Sequence, residues 1–280
     1  MKKTVLDIHD LQELLPFLKG RFGTKLGNWL LKITQINKVN EVHARNCDST
    51  GSDFTTRLLK DPLIDLKYVI HNKEILDTLP EGAFVTVSNH PIGSLDGIIL
   101  IDIFAKKRPD FKVMVNGILS HIGAMEENFI SVEPTKKGNM ENINGVRLSL
   151  QQLKEGHPMG FFPAGSVSFF NWKYRQPRDL TWVHSIIRLI RKSKVTVYPV
   201  FFDFYNTFFF YILGRISWKI RTLFLPAQAF NKRGRTVNIY LGNPISPEEI
   251  AKYPDDTALA NFLYECTYNI KKQKKQDSSD

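Results

Sequence analysis

From about residue 50 onward, short β-branched and aromatic runs alternate with segments of helical periodicity, and this alternation narrows the fold more than any other feature. AFVTVS (83–88), FKVMV (111–115), NFISV (128–132), GFF (160–162), VTVYPVFF (195–202) and TVNIYLG (236–242) read as strands. Between them GIILIDIFAKK, a segment with Ile143, Val146, Leu150 and Leu153 on one face, and WVHSIIRLIRK read as helices. Strands interleaved with helices predict an α/β domain with a mainly parallel central sheet flanked by helices. The 280 residues, 42% of them hydrophobic, suffice for one sizeable core, and no repeat or low-complexity linker divides them. The expected organisation is an amphipathic N-terminal helical segment over 1–50, a main domain over 51–275 and a flexible tail over 276–280.

In the N-terminal segment Leu11, Leu14, Leu15, Leu18 and Phe22 follow helical spacing after an Asp10/Glu13 capping box, with Pro16 shortening or kinking the helix. The continuation KGRFGTKLGNWLLKI is basic and aromatic, so the segment either packs on the domain or lies on lipid. Leu259, Phe262, Leu263, Cys266 and Ile270 predict a C-terminal helix ending in KKQKKQDSSD, a solvated, frayed tail. The nearest approach to a membrane span, VTVYPVFFDFYNTFFFYILG (195–214), carries Asp203, Pro199 and Asn206 and reads better as a buried strand leading into an aromatic loop. Acidic residues interrupt MKKTVLDIHDLQELL before an apolar stretch of signal-peptide length, which predicts an unexported, cytoplasmic chain. Cys47 and Cys266, without a CxxC, support neither a disulfide framework nor a zinc site. The formal charge of +10 suits an anionic partner. Its basic residues are dispersed and match no nucleic-acid-binding motif, so no nucleic-acid partner is expected.

In an open α/β sheet, sites form at the carboxyl ends of strands. There SNHPIGSLDG places His90 two residues past a strand, fixes the turn with Pro91 and Gly93, and sets Asp96 where the next helix begins. A proton-accepting His needs a fixed tautomer and orientation, and a carboxylate on its far nitrogen supplies both. The alternative for the same residues is an Asp96 that only caps the helix and a His90 that is a polar turn residue. In FFPAGSVSFFNWKYRQPRDLTW (161–182) a strand ends at Pro163, Gly165 permits close backbone approach, and Ser166 and Ser168 offer hydroxyls and N–H groups. This is no G-x-S-x-G elbow, so a serine-hydrolase triad is not supported. The histidines at 9, 43, 71, 121, 157 and 184 form no metal-binding spacing, and neither a P-loop nor G-x-G-x-x-G is present. No bound metal or organic cofactor is implied.

SNHPIGSLDG, NFISVEP, FFPAGSVS and VYPVFF in this order, closed by LGNPIS, give the chain from about Asp53 to Ile245 a resemblance to the glycerolipid (lysophospholipid) acyltransferase superfamily, in its bacterial hemolysin-like branch. The resemblance implies acyl transfer from an acyl thioester, on acyl carrier protein or coenzyme A, to a lyso-lipid hydroxyl. His90 would be the general base, Asp96 would orient and charge-balance it, and the backbone around Gly165 and Ser166 would hold the oxyanion. Asn89, Gly93, Pro163 and Ser168 would complete the binding and positioning set.

Three departures qualify the resemblance. His90 and Asp96 are separated by five residues instead of the superfamily's usual four, and Ala164 stands where its third block usually carries an acid. NFISVEP also lacks the Arg that many members offer to the phosphate of a glycerol phosphate acceptor. Without it a phosphate loses a bidentate partner. The expected acceptor is therefore a lyso-lipid with another head group, such as an amino-acid lipid of the ornithine or glycine type. The rival is that Lys136, Lys137, Lys173, Arg175 or Arg178 contacts a phosphate instead, as in a 1-acylglycerol-3-phosphate acyltransferase. A lipid or thioester hydrolase using the same His and Asp is the other enzymatic alternative. The expected setting is peripheral on the cytoplasmic face of the inner membrane. WKYRQPR and NKRGR would meet anionic head groups or an acidic carrier, and the N-terminal helix and 208–213 aromatics would enter the interface.

Overall fold

The computed structural model describes residues 4–14, 16–116, 122–132 and 140–277. The chain opens with α1 (Ile8–Leu14), a short 3-10 turn at Pro16–Leu18, α2 (Gly20–Ile33), α3 (Ile36–Asn46) and α4 (Gly51–Lys60). There follow β1 (Lys67–His71), β2 (Phe84–Ser88), α5 (Ser94–Phe104), β3 (Lys112–Asn116), β4 (Phe129–Val132), α6 (Met140–Lys154) and β5 (Met159–Phe161). A hairpin of β6 (Phe169–Asn171) and β7 (Gln176–Arg178) precedes α7 (His184–Ser193), β8 (Thr196–Asp203), α8 (Phe208–Ile216), α9 (Trp218–Leu223) and α10 (Leu225–Phe230). The chain closes with β9 (Thr236–Leu241), α11 (Pro247–Ala251) and α12 (Asp256–Asp277).

The central sheet runs β1-β9-β8-β2-β5-β3-β4. Only the β8/β9 pairing is antiparallel within it, so the sheet is mainly parallel, as the alternation predicts. Successive residues of a strand face opposite sides. Phe84 accordingly enters one buried cluster with Ile99, Leu100 and Phe202, while Val85 and Val87 enter another with Ile187, Ile190 and Leu263. Both faces of the sheet are therefore covered, and β2 is wholly buried.

Four features differ from the sequence reading. The first helix is closed by Asp7 and Asp10, not Asp10 and Glu13: Asp10 N–H donates to Asp7 Oδ1 (3.0 Å) and Asp7 N–H returns to Asp10 Oδ2 (2.9 Å). The helix starts three residues earlier, and Pro16 then begins the 3-10 turn. β1 and the β6/β7 hairpin join the strands, and FFFYILGRI is a helix, α8, where a loop is expected. The C-terminal helix continues through KKQKKQ to Asp277. Leu11, Leu18 and Leu31 form a small cluster of their own, whereas Val42 of α3 already belongs to the main core.

Gly160 of β5 lets α5 sit close to the sheet. A Cβ there would lie 2.8 Å from Leu100 Cδ2 and 2.9 Å from Phe111 Cζ, with Thr86 Oγ1 at 3.1 Å. Gly160→Ala is expected to lower stability by about 1–3 kcal/mol through overpacking. Gly82→Ala, where a Cβ meets nothing within 4 Å, should be near neutral when both are compared by denaturant titration.

Candidate active site

β2 delivers the chain to Ser88 at the carboxyl edge of the sheet, and Asn89 extends its pairing with β8 by side chain. Asn89 Nδ2 donates to Phe202 O (3.0 Å), and Phe202 N–H donates to Asn89 Oδ1 (2.7 Å). Each end of this buried amide therefore makes one bond to Phe202, which makes Asn89, expected from the sequence among the substrate-binding residues, a clamp between strands.

The chain then turns over residues 90–93 into α5. Gly93 adopts φ +106°, and a Cβ on it would lie 2.7 Å from Leu225 Cδ2, so the turn requires glycine. Asp96 sits fully buried in the first turn of α5, where Oδ2 accepts the N–H groups of Ile92 (2.9 Å) and Gly93 (3.0 Å). His90 Nδ1 stands 3.0 Å from the same oxygen. The capping role and the histidine-facing role thus coexist in one carboxylate. The imidazole is rotated off the line of a hydrogen bond, and Asp96 Oδ1 has no donor among the described residues. Nδ1 is the ring nitrogen that faces Asp96.

His90 is held by its backbone as well. Ser168 N–H donates to His90 O (2.9 Å), and His90 N–H donates to Asp179 Oδ1 (3.2 Å). Phe162 packs on the imidazole with ring centroids 4.4 Å apart. Ser168 is buried, and its hydroxyl donates to Asp179 Oδ1 at 2.6 Å, which suits a positioning role. Trp182 Nε1–H donates to Asp179 Oδ2 (3.2 Å), and Asp179 N–H to Tyr268 Oη (2.7 Å). Burial raises the Asp179 pKa despite these bonds, in which the Ser168 hydroxyl outweighs the His90 N–H. The third block is thereby tied to the first through a carboxylate that no motif marks.

Pro163 O accepts Val183 N–H (2.8 Å), and Gly165, at φ +63°, spends its N–H on Phe162 O (3.0 Å). Gly165 is therefore not an oxyanion donor as expected from sequence, because its N–H closes the turn. The N–H groups of Ser166 and Val167 have no partner among the described residues.

Two further buried cations brace the site. Arg221 donates to Ser168 O (3.1 Å) and Val167 O (3.0 Å) and lies 3.7 Å from the Phe169 ring centroid; burial lowers its pKa to about 10. Lys232 donates to Asn206 Oδ1 (2.6 Å), and Asn206 Nδ2 in turn donates to Pro91 O (3.0 Å). Burial lowers the Lys232 pKa to about 8, with the Asp96 charge partly opposing the shift. Among the sequence-named basic residues, Lys173 and Arg175 are exposed in the β6/β7 hairpin, Arg178 is buried, and Lys136 and Lys137 lie outside the described residues. Among the described residues no cluster of His, Cys, Asp and Glu has a metal-holding arrangement.

The site therefore brings together a histidine at the carboxyl ends of the strands, a buried carboxylate facing it and a turn with unpaired N–H groups. Residues 29–276 match the Acyltransferase family, and the chain belongs to it. It is 26% identical over 254 residues to the lyso-glycine lipid O-acyltransferase of Bacteroides thetaiotaomicron, covering 87% of this chain and 89% of that one. A protein of the same name from Phocaeicola vulgatus is 24% identical over 289 residues, covering 96% of this chain and all of its own length, 100%. The crystal structure of the 1-acyl-sn-glycerophosphate (LPA) acyltransferase PlsC from Thermotoga maritima shares the fold. Its TM-score is 0.50 at 13% identity, over 95% of this chain and 93% of that one.

Asp96→Asn retains an oxygen that can accept the Ile92 and Gly93 N–H groups but removes the charge facing His90. It should fold normally and lose about 10²- to 10⁴-fold in kcat with a much smaller change in KM. Steady-state kinetics alongside a thermal melt measures both.

Proposed function

We propose that this chain transfers a fatty acyl group from an acyl thioester, carried by acyl carrier protein or coenzyme A, to the hydroxyl of a lyso-amino-acid lipid of the glycine type. The observation that carries the chemistry is His90 Nδ1 at 3.0 Å from the buried Asp96 carboxylate. His90 Nε2 takes the acceptor's hydroxyl proton as the oxygen attacks the thioester carbonyl carbon. The oxyanion is received by the N–H groups of Ser166 and Val167, a type of interaction that contributes roughly 10²- to 10³-fold per donor. The tetrahedral intermediate collapses by breaking the C–S bond, and the imidazolium returns its proton to the departing thiolate. No acyl-enzyme forms. The amino-lipid acceptor is supported by the names of two relatives that match most of the chain, and by the absence of an Arg from NFISVEP.

The same reading places the protein peripherally on a membrane, at the cytoplasmic face. Phe208, Phe209, Ile212 and Ile216 of α8 and Trp218 of α9 are exposed, and Trp172 stands out from the β6/β7 hairpin. Arg215 lies 5.9 Å from the Trp172 ring centroid, so a cation accompanies these apolar groups. The α2 helix exposes Phe22, Leu26 and Trp29. Such aromatic and basic surfaces suit the lipid interface, and no described helix is long and apolar enough to cross a membrane.

The test is transfer of a radiolabelled acyl group from acyl carrier protein or coenzyme A to a panel of lyso-lipids presented in vesicles. The reading predicts labelling of lyso-glycine lipid in preference to lysophosphatidic acid, abolished by His90→Ala. Preferential labelling of lysophosphatidic acid would overturn the acceptor, and release of free fatty acid without any acceptor would establish a hydrolase.

A further inference from the structure

Arg178, the last residue of β7, is only 5% exposed. Its guanidinium carbon lies 4.0 Å from the Tyr174 ring centroid, 4.3 Å from that of Tyr268 and 5.6 Å from that of Tyr264. Its Nε is buried without a hydrogen-bond partner, and the side chain makes neither a hydrogen bond nor an ion pair among the described residues. Arginine does not shed its charge, and a desolvated cation without an anion is unfavourable. The neighbouring Asp179 has its oxygens committed to Ser168, His90 and Trp182. The contrast with Arg221 is direct, since that buried guanidinium is satisfied by two carbonyls. A separate cavity of about 530 Å³ beside Arg45 and Arg57 also differs, because both arginines are already paired with carboxylates.

The residue after Arg178, Asp179, holds the His90 N–H. The Tyr205 hydroxyl, whose pKa burial raises, feels the opposing positive charge of Arg178. Tyr205 lines a cavity of about 490 Å³ with Asp203, Asn206 and Arg235. Asn206 forms a wall of that cavity and also bonds the carbonyl of Pro91, next to His90. The cavity thus shares Asn206 with the turn that carries His90, and Asp179 joins Arg178 to the same turn through the chain.

We propose that Arg178 binds the carboxylate of the acceptor's amino-acid head group and so selects carboxylate-bearing lyso-lipids. This rests on the amino-lipid reading given above. A glycine joined to lipid through its nitrogen keeps one planar carboxylate, which meets a guanidinium fork edge to edge in a common plane. Tyrosine rings about 4 Å away accommodate that flat pair better than a tetrahedral phosphate, whose oxygens project out of the plane.

The test uses N-dodecanoylglycine and its methyl ester, held below their critical micelle concentrations, as ligands that differ only in the free carboxylate. Binding is measured calorimetrically with the full-length protein. In parallel, acyl transfer to lyso-glycine lipid and to its methyl ester is followed. The wild type should prefer free acid over ester by about 10- to 100-fold, the scale of a charged hydrogen-bonded pair. R178Q should bring that ratio close to one, raising KM for the acceptor and leaving KM for the acyl donor unchanged, and R178K should fall between. The ratio is taken within each variant, so a fraction of unfolded protein cancels. A wild type indifferent to esterification, or an R178Q that keeps the preference, overturns the assignment; should R178Q not fold, the R178K ratio decides, a preference equal to the wild type's overturning it. A donor KM that rises in place of the acceptor KM also overturns it. If the acid is discriminated through Arg178 while lyso-glycine lipid is never acylated, the carboxylate site stands and the proposed acceptor falls.

Discussion

Two backbone N–H groups, those of Ile92 and Gly93, end on one buried oxygen of Asp96, and the geometry of the site depends on that bond pair. The oxygen draws the turn onto the start of α5, and the turn carries His90 Nδ1 to 3.0 Å from it. A buried carboxylate without donors would be costly, and the N–H pair supplies donors to Asp96 where no solvent reaches it. The glycine at 93 is part of the same constraint, since its backbone angle and its contact with Leu225 leave no room for a side chain.

Around this centre the fold supplies rigidity from both directions. The sheet holds the turn from below through Asn89 and Phe202, and the strap at residues 167–168 holds it from the side through the Ser168 N–H and the Asp179 carboxylate. Arg221 in turn fixes the strap, and Lys232 fixes Asn206 against the turn's carbonyls. Buried polar groups in such a network hold one arrangement because each alternative leaves a donor or acceptor unpaired. Several buried polar atoms near the turn have no hydrogen-bond partner among the described residues, among them Ser88 Oγ, His90 Nδ1 and Asp96 Oδ1, and Arg178 Nε is in the same condition.

Much of this was legible in the chain because it is local. The strands with strong β-branched or aromatic alternation stand out, and His90 and Asp96 lie within one turn. β1 escaped because it is an edge strand whose Lys67 and Val69 are exposed and whose apolar run, residues 68–70, is only three residues long. The α8 segment resembled an aromatic loop. Its Gly214, a poor helix former, is there to make room, since a Cβ would lie 2.7 Å from Arg221 Cδ. Asp179, Arg221 and Lys232 could not be read from spacing, because the bonds that tie them to the site span 89 residues to His90, 53 to Ser168 and 26 to Asn206 respectively. Asp7/Asp10 and Asp10/Glu13 share the same acid-x-x-acid pattern, so the pattern alone does not choose the start, and the helix takes the earlier one with Leu11 clustered with Leu18 and Leu31.

The central claim is that Asp96 fixes His90 as the Nδ1–H tautomer, leaving Nε2 as the base. The most direct measurement is long-range ¹H–¹⁵N correlation NMR on protein with ¹⁵N-labelled histidine, with the His90 signals assigned by their loss in His90→Ala. The account predicts a protonated Nδ1 and an unprotonated Nε2 in neutral His90, and loss of that preference in Asp96→Asn. A neutral His90 protonated at Nε2, or a tautomer unchanged by Asp96→Asn, would contradict it.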